Sequence, residues 1–175
     1  MKNISILAIC GSLRAASLNR AALEAAVQLA PAGVAVTLYE GIGSLPLFNP
    51  DLDDAGGLQV DDWRARIDAA DALLIGSPEY AHGITGVMKN ALDWAVSMET
   101  FPGKPVALIN TSPRASHAQD ALRDILTTMS ARIVPAASVS LPLQGSGLDT
   151  AAAVLARADL AASLRGALLA LARAV

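Results

Sequence analysis

Two short segments of this chain hold residue types that could grip a nucleotide. The first is Gly11-Ser12-Leu13-Arg14-Ala15-Ala16-Ser17-Leu18-Asn19-Arg20. It follows an apolar run and opens a helical pattern. Backbone N–H groups at a helix N-terminus, with the dipole behind them, make an anion site. Arg14 adds a planar fork that matches phosphate oxygens. Gly11 lets the turn tighten, and Ser17 suits a helix cap, which an ordinary strand–helix turn would also use. The spacing is neither Gly-x-Gly-x-x-Gly nor Gly-x-x-x-x-Gly-Lys-Ser/Thr, so a dinucleotide fingerprint is disfavoured and a P-loop is excluded. The second segment is Gly76-Ser77-Pro78-Glu79-Tyr80-Ala81-His82-Gly83-Ile84-Thr85-Gly86. An aromatic ring, a rigid proline and permissive glycines suit a flat heterocycle resting on backbone. Taken alone, it also reads as a turn whose Tyr80 packs over the end of a sheet.

The elements that must position these loops follow from hydrophobic periodicity. Apolar runs at Ile4–Cys10, Val34–Tyr39, Ala72–Gly76, Pro105–Asn110 and Ile133–Val139 predict strands. Helical patterns fall at Ser17–Ala30, Leu58–Ala70, Thr85–Ser97, His117–Ala131 and Leu148–Ala174, the last with a break expected near Gly166. A Gly/Pro/Asp-rich loop spans Gly41–Gly57. Five strands alternating with five helices predict an α/β fold, a parallel sheet with helices on both faces. Near-continuous apolar strands agree with burial on both sides. Ligands of such sheets sit beyond the carboxyl ends of the strands. Both loops lie on that edge. One suits a phosphate and the other a ring, so together they point to a mononucleotide.

Composition narrows the class. The 175 residues fit one domain, residues 1–175, with 53% apolar residues to fill a core. Net charge is −3, without the basic patch that nucleic-acid binding usually needs. The run Ile4–Cys10 passes directly into Gly11-Ser12 with no cleavage-site pattern, so no signal peptide is expected. Arg157, Asp159, Arg165 and Arg173 interrupt the Ala/Leu-rich C-terminal region, so no membrane span is expected. Cys10 is the one cysteine, which rules out an internal disulfide and fits a reducing, cytoplasmic setting.

The motifs resemble those of the NADPH-dependent FMN reductase family. Gly11-Ser12-Leu13-Arg14 with Ser17 and Asn19-Arg20 is similar to its phosphate loop. Ser77-Pro78-Glu79-Tyr80, then Gly83, Gly86 and Lys89-Asn90-Ala91-Leu92-Asp93-Trp94, is similar to its flavin-ring motif. Leu45-Pro46-Leu47-Phe48-Asn49-Pro50-Asp51-Leu52 adds a third similarity. The resemblance implies a flavodoxin-like fold, a five-stranded parallel sheet of order 2-1-3-4-5. It implies FMN as cofactor and NADPH or NADH as donor. Hydride would pass through FMN to a small acceptor: a flavin, quinone, azo compound or chromate. Ser12, Arg14, Ser17 and Asn19 would hold the FMN phosphate. Pro78, Glu79, Tyr80 and Gly83 would line the isoalloxazine ring, mostly through backbone. Where many members have a glycine-rich turn after the fourth strand, this chain has Thr111-Ser112-Pro113-Arg114-Ala115-Ser116-His117, which would place Ser112 near the ring. Relatives assemble as homodimers or homotetramers. Met88, Leu92, Val96 and Met98 would give the third helix apolar surface for such an interface, unless all four are buried within the subunit.

Other residues carry less. Cys10 lies in an apolar strand and reads as inert core rather than a thiol catalyst. His82 and His117 stand far apart in the sequence with no supporting ligand spacing, so no metal is expected. Asp51, Asp53, Asp54, Asp61 and Asp62 read as a solvated acidic stretch, with a Mg²⁺ site as a lesser alternative. No serine sits in a Gly-x-Ser-x-Gly elbow. The chemistry therefore belongs to the cofactor, and no side chain need be catalytic. Alternatives are a non-enzymatic, flavodoxin-like electron carrier and a regulatory protein that keeps the fold without flavin.

Overall fold

The computed structural model describes residues 3–114 and 116–175. Ala115, in the turn after the fourth strand, Met1 and Lys2 lie outside the described residues, as does the Asp54 side chain. The sheet is parallel. Its strands are β1 (Ile4–Cys10), β2 (Val34–Tyr39), β3 (Ala72–Gly76), β4 (Pro105–Asn110), β5 (Arg132–Ile133) and β6 (Val139–Ser140). The order is β2-β1-β3-β4-β5, with β6 also paired to β4. β1 is central: Ile4 pairs with Val34 on one side and Ile6 with Ala72 on the other.

The helices are α1 (Leu18–Gln28), α2 (Leu58–Ala69), α3 (Gly86–Asp93), α4 (His117–Thr128), α5 (Ala151–Leu155) and α6 (Ala158–Ala172). They divide between the two faces because strand side chains alternate. Ile6, Ala8 and Cys10 of β1 point into one core with Ala22 and Leu23 of α1 and Leu164 and Leu168 of α6. Leu7 and Ile9 point into the other, with Trp63 of α2, Met88 and Leu92 of α3 and Leu122 of α4. This is the flavodoxin-like arrangement, with helices on both faces of one sheet.

Three expected elements change. The strand expected at Ile133–Val139 is two short strands separated by a 3₁₀ turn at Pro135–Ala137. Pro135 lacks the N–H that a continuous ladder requires. β5 then pairs with the start of β4 and β6 with its end, so the sheet gains a sixth strand. The last helix breaks at Ala156-Arg157, and Gly166 sits inside α6. The break lets α5 pack on α1 while α6 lies against β4 and β6. Arg157, extended at the α6 cap, pairs with Asp159 across the bend at 2.8 Å. Finally, α3 ends at Asp93 and turns follow, with the Trp94 indole N–H donating to the Pro46 carbonyl at 2.8 Å.

Candidate functional site

A cleft of about 570 Å³ opens at the carboxyl ends of β1, β3 and β4. Its first wall is the β1–α1 loop. Ser17 caps α1 with its hydroxyl, which accepts the Arg20 N–H at 3.2 Å. That cap serves the third helical position. The N–H groups of Ser17, Leu18 and Asn19 have no hydrogen-bond partner among the described residues, the usual state of a first helical turn. Ser12 is buried and its hydroxyl accepts the Arg14 N–H at 3.4 Å. The two arginines here differ. Arg20 is committed to Glu24 at 2.7 Å and to Glu40 at 2.6 Å, and it holds the Glu40 carboxyl below its ordinary range. Arg14 is exposed and has no ion-pair partner among the described residues. Arg14 is thus left free at the cleft, where Arg114 is the other lining arginine.

The second wall is the β3–α3 loop, with Ser77, Pro78, Glu79 and Tyr80 facing the cleft. Tyr80 is 50% exposed. Its N–H and C=O pair with the C=O and N–H of Gly83 at 3.1 and 3.0 Å, closing a two-residue hairpin. Both central residues of that turn, Ala81 and His82, have positive φ, 49° and 59°. A primed hairpin turn demands this, and it is costly for alanine. Gly83 therefore spends its backbone groups on Tyr80 and is not among the residues that line the cleft. The two walls touch. The Gly11 N–H donates to the Gly76 carbonyl at 2.8 Å, and the Thr85 hydroxyl donates to the Gly11 carbonyl at 2.7 Å. A Cβ on Gly11 would strike the Ser77 hydroxyl and lie 2.8 Å from Ser77 Cβ.

The third wall comes from the turn after β4 and from α4. The Asn110 side chain accepts the Ser112 N–H at 2.9 Å. The Thr111 hydroxyl donates to Asn19 at 3.2 Å, tying this turn to α1. Ser112 pairs through its hydroxyl with Gln144, which follows β6. The Glu79 carboxylate accepts the Ala118 N–H at 2.9 Å, so the β3–α3 loop caps α4, whose own Ser116 side chain does not. A carboxylate at a helix N-terminus is favoured by the dipole. His82 and His117, distant in sequence, stack with ring centroids 4.4 Å apart. Among the described residues no group of three or more His, Cys, Asp or Glu is arranged to hold a metal.

Ser12, Arg14, Ser17, Asn19, Pro78, Glu79, Tyr80 and Ser112 are thus brought to one cleft. Gln119, Gln144 and Arg114 join them, and the sequence reading did not single these out. Burial raises the Cys10 thiol above its ordinary range, and its sulfur lies 3.6 Å from the Ser12 carbonyl. A buried protonated thiol is a poor nucleophile. Asp93 pairs with Lys89 one turn earlier on α3, at 2.5 Å.

Residues 4–145 match the family model for NADPH-dependent FMN reductase. The chain belongs to that family. It is 43% identical to an NAD(P)H-dependent FMN reductase of Pseudomonas aeruginosa over 113 residues, 63% of this chain and 60% of that protein. It is 31% identical to a quinone reductase of Escherichia coli K12 over 141 residues, 76% of this chain and 74% of that protein. The alignments to several curated relatives span only 50 to 61% of their length. Among solved structures it is similar to FerB, a flavoenzyme NAD(P)H:(acceptor) oxidoreductase from Paracoccus denitrificans. The TM-score is 0.80 at 29% identity, covering 97% of this chain and 96% of that one. In this FMN reductase family member, the departure after β4 is visible in the cleft. Asn110, Thr111, Ser112 and Gln144 form a hydrogen-bonded polar turn there.

Proposed function

We propose that this chain is an FMN-dependent oxidoreductase that uses NADPH or NADH to reduce a small acceptor, a quinone or flavin foremost. The observation that carries this reading is the conjunction in one cleft of an open helix N-terminus, a free Arg14 and the β3–α3 loop. The donor set fits FMN. A phosphate needs donors only, and the first turn of α1, Ser12 and Arg14 offer them. When bound, FMN supplies the redox chemistry between donor and acceptor. The protein's own part is to hold the phosphate, support the ring on Pro78, Glu79 and Tyr80, and keep the walls in register through Thr85 and Gly11. Ser17 and Asn19 act from α1, and Ser112 acts from the β4 turn. Gly83 acts indirectly, by closing the hairpin that presents Tyr80.

If one flavin face serves both donor and acceptor, the two must bind in turn. The FMN-loaded protein should therefore oxidise NAD(P)H with quinones or free flavins and give parallel double-reciprocal plots. Intersecting lines would require a separate acceptor pocket. No NAD(P)H oxidation with any quinone, flavin, azo compound or chromate would leave only an electron-carrier role.

The proposed assembly is a homodimer or homotetramer, in a cytoplasmic setting. No helix among the described residues is long and apolar enough to cross a membrane. Support for assembly shifts away from the expected face of α3, because Met88 and Leu92 are buried within the subunit. Of the four residues expected there, Val96 is exposed, at 62%, and Leu47 and Tyr80 are among the other exposed apolar residues, at 85% and 50%. Light scattering that shows only monomer at micromolar concentration would remove this part of the reading.

A further inference from the structure

Gln119 occupies a position where an apolar residue would be expected. It falls on the stripe of α4 that continues through Leu122 and Leu126, the i, i+3, i+7 spacing of a buried helix face. Leu122 and Leu126 are sealed in the core, and Gln119 itself is only 8% exposed. The Gln119 amide makes no hydrogen bond to any described residue, whereas its polar neighbours in the cleft wall are paired. Asn19 has Thr111, Ser112 has Gln144, and Glu79 has the Ala118 N–H. No side-chain nitrogen or oxygen among the described residues is both sealed and unpaired. The Gln119 amide therefore keeps an opening, and the opening that Gln119 lines is the cleft.

An unpaired, nearly buried amide costs stability. It is also specific in what it can answer. A primary amide offers donors and an acceptor together, unlike the donor-only groups that a phosphate needs. Arg14 and the first turn of α1 stand on the β1–α1 side of the cleft, Arg114 stands in the turn after β4, and Gln119 stands on α4 itself. We infer that the Gln119 side-chain amide is a hydrogen-bonding contact to the uncharged part of the flavin, its ring edge or ribityl chain. It is retained at the expense of apoprotein stability. The inference rests on the FMN reading given above.

The test uses Gln119→Leu, with Gln119→Met as a second, unbranched near-isostere. Melting temperature is measured on the flavin-free proteins, and affinity for FMN and riboflavin by fluorescence titration. The melting temperature should stay equal or rise, because the unpaired amide is gone. Dissociation constants for FMN and riboflavin should both rise roughly 3- to 10-fold, by a common factor. A fall in apoprotein melting temperature in both variants would assign Gln119 a structural role and overturn the inference. Unchanged affinity would overturn it, and so would a loss confined to FMN, which would mark a phosphate contact. Wild-type protein that binds neither flavin would overturn the FMN reading and this inference with it.

Discussion

In the β1–α1 loop, Ser12 accepts the N–H of Arg14 two residues on, and Ser17 accepts that of Arg20 three residues on. In the β3–α3 loop, Glu79 reaches Ala118, 39 residues away, and His82 stacks on His117. The caps of the first wall come from its own neighbours in sequence, although Gly11 and Asn19 also bond to Thr85 and Thr111. The second is pinned by another element and contains two non-glycine residues at positive φ. Strain of that kind persists where the surroundings over-determine it. The helix cap on the phosphate side is thus set locally, while the ring side leans on α4.

Arg14→Ala should produce the largest effect that separates the two walls. A hydrogen bond to a charged group contributes about 1.5–3 kcal/mol, so FMN affinity should fall roughly 10- to 100-fold. Riboflavin affinity and melting temperature should not move, because Arg14 is exposed and unpaired in the protein. Titration of both ligands checks this. Unchanged FMN affinity in a folded variant would place Arg14 outside the site.

Gly11→Ala tests the seam between the walls. The added Cβ must displace Ser77, and overpacking of this kind costs about 1–3 kcal/mol. Urea denaturation should show that loss, and both flavins should bind more weakly. A variant with wild-type stability would mean the two loops are not in register as described.

The uneven legibility of the sequence follows from the same contrast. The bounds of β1 through β4 follow directly from their apolar runs, because β1, β3 and β4 are largely buried on both faces, and β2, half-exposed at the sheet edge, keeps an apolar run as well. The β1–α1 loop was legible because its cap and its free arginine are local. Gln144 was not, because only the return of the chain through β6 brings it beside Ser112. The stacking of His82 on His117 and the cap from Glu79 are equally non-local. Gln119 did leave a signal, a polar residue on the apolar stripe of α4. The break at Arg157 left none in helical periodicity, since it is set by the different packing partners of α5 and α6.

Two smaller effects sharpen the account of the second wall. Glu79→Ala should leave the Ala118 N–H uncapped and cost about 0.5–2 kcal/mol, the range for a lost helix cap. Denaturation of the flavin-free protein reads it, and a neutral result would mean α4 is held without the loop. Ala81→Asn should stabilise by about 0.5–1 kcal/mol, because asparagine tolerates the left-handed region better than alanine. A loss of stability there would mean the hairpin is not held at positive φ.

The central claim is that one cleft joins a phosphate-binding wall to a ring-supporting wall. Parallel titrations of wild-type protein with FMN and with riboflavin test it most directly, since the ligands differ only in the phosphate. The account requires FMN to bind at least about tenfold more tightly, the minimum set by one charge-assisted hydrogen bond. Equal affinity for the two would contradict it, because the open first turn of α1 and the free Arg14 would then have no anion to hold.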